Sequence, residues 1–201
     1  MTEIFSQILT DRGLDESFLN PRYEDLFDPF LMLGMNKAVE RIERARDEAE
    51  HILIYGDYDA DGVTSSTVLA TALKDFGCED VQVILPNRFI DGYGMKDGAI
   101  DEIVARGINL VITVDNGSGS GGTIEKLKER GIDTIVTDHH EIPNKPEAAV
   151  AVINPRLPGE KYGLRMAGVG VAFTLARALN MRKNGGSCDG QEKWLLDLVT
   201  L

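Results

Sequence analysis

HILIYGDYDADG, residues 51–62, sets the frame for the rest of the chain. A short apolar run enters a turn carrying Asp57, Asp59 and Asp61, and the turn opens onto a helical stretch at 63–76. An apolar run of this length without polar alternation reads as a strand buried on both faces. The same grammar recurs downstream. VQVIL (81–85), LVITV (110–114), TIVT (134–137) and AVAVI (149–153) are further strand candidates, with helix candidates at 97–106, 121–130 and 168–182.

Strands buried on both faces and separated by helices indicate an α/β fold: a Rossmann-like, mainly parallel sheet with helices on both faces. Residues 1–50 form a helical N-terminal segment ahead of it. Within it, Ala38, Val39, Ile42, Ala45 and Ala49 fall near helical spacing, and the stretch from Asn20-Pro21 to Asp28-Pro29 is rich in turn residues. Residues 51–201 then form the main domain.

The 201 residues, 43% of them hydrophobic, suffice for one sizeable core. No apolar run approaches a membrane span and the N-terminus lacks signal-peptide character, so a cytoplasmic protein with no membrane partner is expected. Cys78 and Cys188 have no metal-type spacing and read as reduced, incidental thiols. With 21 basic against 33 acidic residues the net charge is −12. That excludes a free-standing nucleic-acid clamp, because phosphate backbones are gripped mainly by Lys and Arg. The C-terminal stretch QEKWLLDLVTL ends on an apolar residue without a cap, which suggests a chain truncated at its C-terminus.

Three of the apolar runs end in Asp. HILIY leads to Asp57, Asp59 and Asp61, LVITV to Asp115-Asn116-Gly117, and TIVT to Asp138-His139-His140-Glu141. In an open parallel sheet, ligands bind beyond the C-terminal strand ends, so these residues should gather along one edge. Singly, each has a plain structural reading. Asp61 fits a helix N-cap, Asp115-Asn116-Gly117 an ordinary turn, and the His pair an accident of the loop. Together they form a self-repelling carboxylate cluster that needs a cation. An oxygen-rich set with one or two imidazoles suits Mn²⁺ or Mg²⁺ better than structural zinc, and there are ligands enough for two ions. Asp115, from a separate strand end, is the bridging candidate. His51, at the start of its strand, reads as structural.

GDYDADG (56–62), VDNG (114–117) and TDHHE (137–141) resemble the successive motifs of the DHH phosphoesterase superfamily. Three other stretches resemble bacterial RecJ-like single-strand-specific exonucleases: residues 12–42, PNRFIDGYGM (86–95), and residues 153–179. The resemblance implies a hydrolase dependent on Mn²⁺ or Mg²⁺ that shortens single-stranded DNA from its 5′ end in repair or recombination. It assigns Asp57, Asp59 and Asp61 to the first acidic motif, Asp115 to the second, and Asp138, His139 and His140 to the third. In other branches a His often stands four residues before the middle Asp; Tyr55 stands there in this chain. The family pattern continues past Leu201 to another ligand Asp and further domains. Asp197 lies too early to serve, and SGSGG (118–122) is richer in Gly and Ser than the pattern suggests.

On that reading Asp59, Asp61, Asp115 and His139 hold two ions, and Asp57 is a ligand or orients one. Asp138 orients the His pair, and His140 contacts the scissile phosphate or moves a proton. Arg88 is a phosphate contact or a surface ion pair, and Tyr93 shapes the same rim or closes a turn. Gly168 and Gly170 allow close backbone approach, to a phosphate at a helix N-terminus or to a neighbouring strand. The competing readings are a phosphodiesterase acting on short oligonucleotides or cyclic dinucleotides, and a catalytically dead binding scaffold.

Overall fold

A computed structural model describes residues 3–87, 94–161 and 166–201. Among the described residues, five strands form one all-parallel sheet: β1 (Ile52–Tyr55), β2 (Val81–Ile84), β3 (Leu110–Val114), β4 (Asp133–Thr137) and β5 (Ala151–Ile153). Their spatial order is β2-β1-β3-β4-β5. The chain leaves β1 toward one edge and returns to β3 on its other side. The crevice beyond β1 and β3 is therefore the topological switch point, where open parallel sheets bind ligands.

The apolar runs of β1, β3 and β4 are continuous because the centre of the sheet is covered on both faces, whereas the edge strand β2 stays half-exposed. Ile52 and Ile54 join a core built with α3 (Met35–Asp47), α4 (Ala60–Phe76) and α7 (Gly168–Lys183). Leu53 and Tyr55, one residue out of phase, join a second core built with α5 (Ile100–Ala105) and α6 (Gly121–Glu129). This is the expected α/β architecture. Strand and helix bounds move by a few residues from the sequence reading. AVAVI contributes only Ala151–Ile153 to the ladder, and 97–106 divides into a 3-10 turn at Asp97–Ala99 followed by α5.

The N-terminal segment is helical but broken. Helices α1 (Glu3–Asp11) and α2 (Glu16–Leu19) precede 3-10 turns at Tyr23–Asp25 and Pro29–Leu31, and then α3. Met35, Ala38, Val39, Ile42 and Ala45 form the buried stripe of α3, at the spacing of one helical face. Ala49 falls beyond the helix, with φ 51°. The C-terminal stretch is a 3-10 turn at Gln191–Leu195 running into α8 (Leu196–Val199), on which Asp197 is exposed. Among the described residues no helix is long and apolar enough to cross a membrane. Both cysteines are free thiols.

Candidate metal centre

Each acidic strand end is shaped by its own sequence. After β1, Asp59 takes the N-cap of α4 and accepts from Gly62 N at 3.0 Å, so the capping role offered to Asp61 belongs to Asp59. Gly62 permits the tight entry. A Cβ there would come within 2.4 Å of the Asp57 carbonyl oxygen. Asp57 is buried and accepts from Tyr58 N at 2.7 Å. Burial pushes its carboxyl above the usual range and Asp59 adds to the rise, against the Tyr58 N–H.

Asp115 follows β3 at φ 60°, a left-handed conformation that non-glycine residues adopt at a cost. The turn is fixed from beneath. Asn116 donates to the carbonyls of Tyr55 and Val114 at 3.1 and 2.9 Å, and Thr113 Oγ1 donates to the Asn116 carbonyl at 2.8 Å. The side chain is thereby presented to the crevice, at 1% exposure. Burial, followed by the charges of Asp61, Asp59, Asp138 and Asp57, pushes its carboxyl up to about 8.

After β4, Asp138 is saturated with donors. Its Oδ1 accepts from His139 N, His140 N and His140 Nδ1 at 2.7, 3.2 and 2.8 Å, and its Oδ2 accepts from Ser118 N at 2.9 Å. Burial alone would raise its carboxyl, but the Ser118 and His140 hydrogen bonds outweigh burial and hold it below the usual range. His139 Nε2 lies 3.1 Å from Asp115 Oδ1 and 3.5 Å from Asp61 Oδ2, and His140 Nδ1 lies 3.9 Å from Asp115 Oδ1.

Among the described residues, two groups bring ligand atoms within 4.8 Å of one another: Asp115 with His139 and His140, and Asp57 with Asp59 and Asp115. Asp115 is common to both, the position a bridging carboxylate would occupy. Hard carboxylate oxygens with one or two imidazoles fit Mn²⁺ or Mg²⁺, and a bound cation would offset the burial and the neighbouring charges that raise the Asp115 carboxyl.

Asp61 stands beside these groups with a second task. Its two oxygens accept from Gly168 N and Val169 N, each at 2.7 Å, at the start of α7. The Gly168 N–H is thus directed at Asp61, and its missing Cβ makes room for Asp115. An added Cβ would lie 2.6 Å from Asp115 Oδ1. Gly170 packs against Met166. His51 lies at the opposite end of β1, with Nδ1 2.5 Å from Asp80 Oδ2. Arg88 and Tyr93 lie outside the described residues.

Three participants escaped the sequence reading: Ser118, Asn154 and Arg156. Asn154 is fully buried and donates to Ser118 Oγ at 2.9 Å and to the His140 carbonyl at 3.0 Å. Arg156 Nε donates to the His139 carbonyl at 2.8 Å. A signal was present. Asn154 immediately follows the apolar run of β5, the same strand-end position that marks Asp115 and Asp138.

The chain resembles known proteins. The chain is 42% identical to the single-stranded-DNA-specific exonuclease RecJ of Bacillus subtilis over 186 residues, covering 89% of this chain and 23% of that protein. It is 44% identical to the Escherichia coli RecJ over 147 residues, covering 73% of this chain and 26% of that protein. The chain thus spans about a quarter of the length of these curated relatives. Among solved structures, exonuclease RecJ bound to manganese superposes with a TM-score of 0.72 at 32% identity, covering 82% of this chain and 41% of that one. RecJ from Thermus thermophilus in complex with Mn²⁺ gives 0.74 at 29% identity, covering 93% and 26%. The profile of the DHH family, N-terminal domain, matches residues 51–201. Because that match begins at the run leading into β1 and takes in every strand and each acidic strand end, the chain belongs to the DHH family.

Proposed function

We propose that this chain carries the metal-binding half-site of a 5′-to-3′ exonuclease that hydrolyses single-stranded DNA in repair and recombination. The observation that carries the reading is the convergence of Asp57, Asp59, Asp115, His139 and His140 around one crevice, with Asp115 shared between the two ligand groups. The likeness to RecJ over 89% of the chain supplies the substrate class. Residues 51–201 form the DHH unit, and 1–50 the helical segment that α3 anchors to it.

Asp57, Asp59, Asp61, Asp115 and His139 would hold two Mn²⁺ or Mg²⁺ ions, with Asp115 between them. Bound there, divalent ions supply an acidified water and neutralise charge on the phosphoryl oxygens. The chain's own residues do the rest. Asp138 accepts from His140 Nδ1, which fixes that ring's tautomer and leaves its Nε2 for a phosphate oxygen or a proton transfer. Asp138 also takes both backbone N–H groups of the His pair, which fixes the turn that carries the two rings at the end of β4. Gly168 lets α7 approach Asp115 and carries its N–H to Asp61. The α7 N-terminus brings a positive partial charge against the carboxylates.

The two free thiols fit a reducing cytoplasm as the place of action. Arg88 would contact a backbone phosphate from the rim. The test is degradation of a single-stranded oligonucleotide, labelled at either end, by the full-length enzyme that carries this domain, in Mn²⁺. Mononucleotide release from the 5′ end that stops on chelation, and stops in Asp115→Ala, is expected. Degradation that persists in Asp115→Ala would contradict the bridging role. A marked preference for dinucleotides or cyclic dinucleotides would move the substrate class.

A further inference from the structure

His139 and His140 follow β4, beyond the last residue of the ladder. Their backbone groups therefore need other partners. All four find side chains. Asp138 Oδ1 accepts from both N–H groups, Arg156 Nε donates to the His139 carbonyl at 2.8 Å, and Asn154 Nδ2 donates to the His140 carbonyl at 3.0 Å. The two carbonyls are thus held by the segment that follows β5, the neighbouring edge strand.

We propose that Asn154 and Arg156 form a brace that fixes the peptide backbone of the His pair and so sets the His139 imidazole against Asp115 and the His140 imidazole against Asp138. They are positioning residues, and the proposal rests on the metal-site reading above. Asn154 suits the task chemically. Its Nδ2 donates twice, to the His140 carbonyl and to Ser118 Oγ, while its Oδ1 accepts from Arg156 N at 2.8 Å. Ser118 N in turn donates to Asp138 Oδ2, so the loops after β3, β4 and β5 close into one hydrogen-bonded ring. An aspartate of the same shape would lose both donors and turn a charge toward a carbonyl oxygen. Arg156 reaches its carbonyl from the surface, and its guanidinium also pairs with Glu141. It can therefore be changed without opening the core.

Electrostatics and positioning predict opposite signs here. Asn154→Asp adds a negative charge near the site and Arg156→Met removes a positive one, so charge alone would tighten cation binding in both. A brace that orients a ligand imidazole predicts weaker binding, by about tenfold or more, as for other outer partners of metal ligands. The measurement is calorimetric titration of Mn²⁺ into the 201-residue chain and the two variants, with circular dichroism confirming the fold. Weaker binding in both, or in Arg156→Met alone where Asn154→Asp does not fold, supports the brace. Equal or tighter binding in folded Arg156→Met overturns it, whatever Arg156 does to DNA affinity. Absence of Mn²⁺ binding in the unaltered chain overturns the metal-site reading instead, and the brace with it.

Discussion

Gly168 donates its backbone N–H to Asp61 Oδ2 at 2.7 Å, across 107 positions of sequence, and this bond ties the start of α7 to the start of α4. Two helices of one face of the sheet thereby share a carboxylate that also lies within reach of His139. The candidate metal centre is part of how these helices meet.

Gly168→Ala tests that close approach. Its Cβ would press on the Asp115 carboxylate, 2.6 Å from Oδ1 and 2.8 Å from Cγ. Either Asp115 or the α7 N-terminus must move. Overpacking of this kind costs about 1–3 kcal/mol. Urea unfolding should show that loss, and Mn²⁺ affinity should fall with it. Unchanged stability and affinity would mean that α7 gives way freely.

Asp115 makes the metal-free chain sensitive to pH. Its carboxyl, pushed up to about 8 by burial and by neighbouring carboxylates, binds a proton in the folded state that the unfolded chain releases near pH 4. The folded state therefore holds more protons between those values, and stability falls as pH rises from about 4 to about 8. Asp115→Asn, which also tolerates the left-handed backbone at φ 60°, should flatten that slope and raise the melting temperature of the metal-free chain at pH 8. At neutral pH, Mn²⁺ binding should release about one proton, readable by calorimetry in buffers of different ionisation enthalpy. A melting temperature that climbs from pH 5 to pH 8 in metal-free protein would reverse the assignment.

Asp138 has the opposite sign. Hydrogen bonds from Ser118 and His140 hold its carboxyl below the usual range despite burial, so it stabilises the fold above pH 4 and that contribution fades in more acidic solution. Asp138→Ala strands the N–H groups of Ser118, His139 and His140. An unsatisfied buried donor costs about 1–3 kcal/mol; the Ser118 N–H is buried while those of the half-buried His pair can reach water, so a loss of about 2–4 kcal/mol is expected at pH 7. Denaturant unfolding at pH 7 and at pH 3 should show the variant's deficit shrinking at the lower pH.

The sheet was legible because a strand buried on both faces leaves an uninterrupted apolar run, and the Asp that follows each run marks its functional end. β1, β3 and β4 read that way, and so did the approach of Asp57, Asp59, Asp115 and His139. What stayed hidden depends on which partner a polar side chain finds. Asp59 and Asp61 have the same chemistry two residues apart, yet one caps its own helix and the other caps α7. Nothing in GDYDADG states that division, because it follows from the packing of α4 on α7. Asn154 and Arg156 were missed because the rule was applied to acids alone. The break in the N-terminal segment was legible too: the turn-rich stretch from Asn20-Pro21 to Asp28-Pro29 holds only 3-10 turns between α2 and α3.

The central claim is that Asp115 joins two ligand groups into one divalent-metal centre. Crystals of the chain soaked in Mn²⁺ and measured at the manganese edge test it most directly. The account predicts anomalous density beyond the ends of β1, β3 and β4, with an Asp115 oxygen about 2.1 Å from the ion, as for small divalent cations on carboxylates, and His139 Nε2 in the same shell. Density that avoids Asp115, or a crevice that stays empty at saturating Mn²⁺, would contradict it.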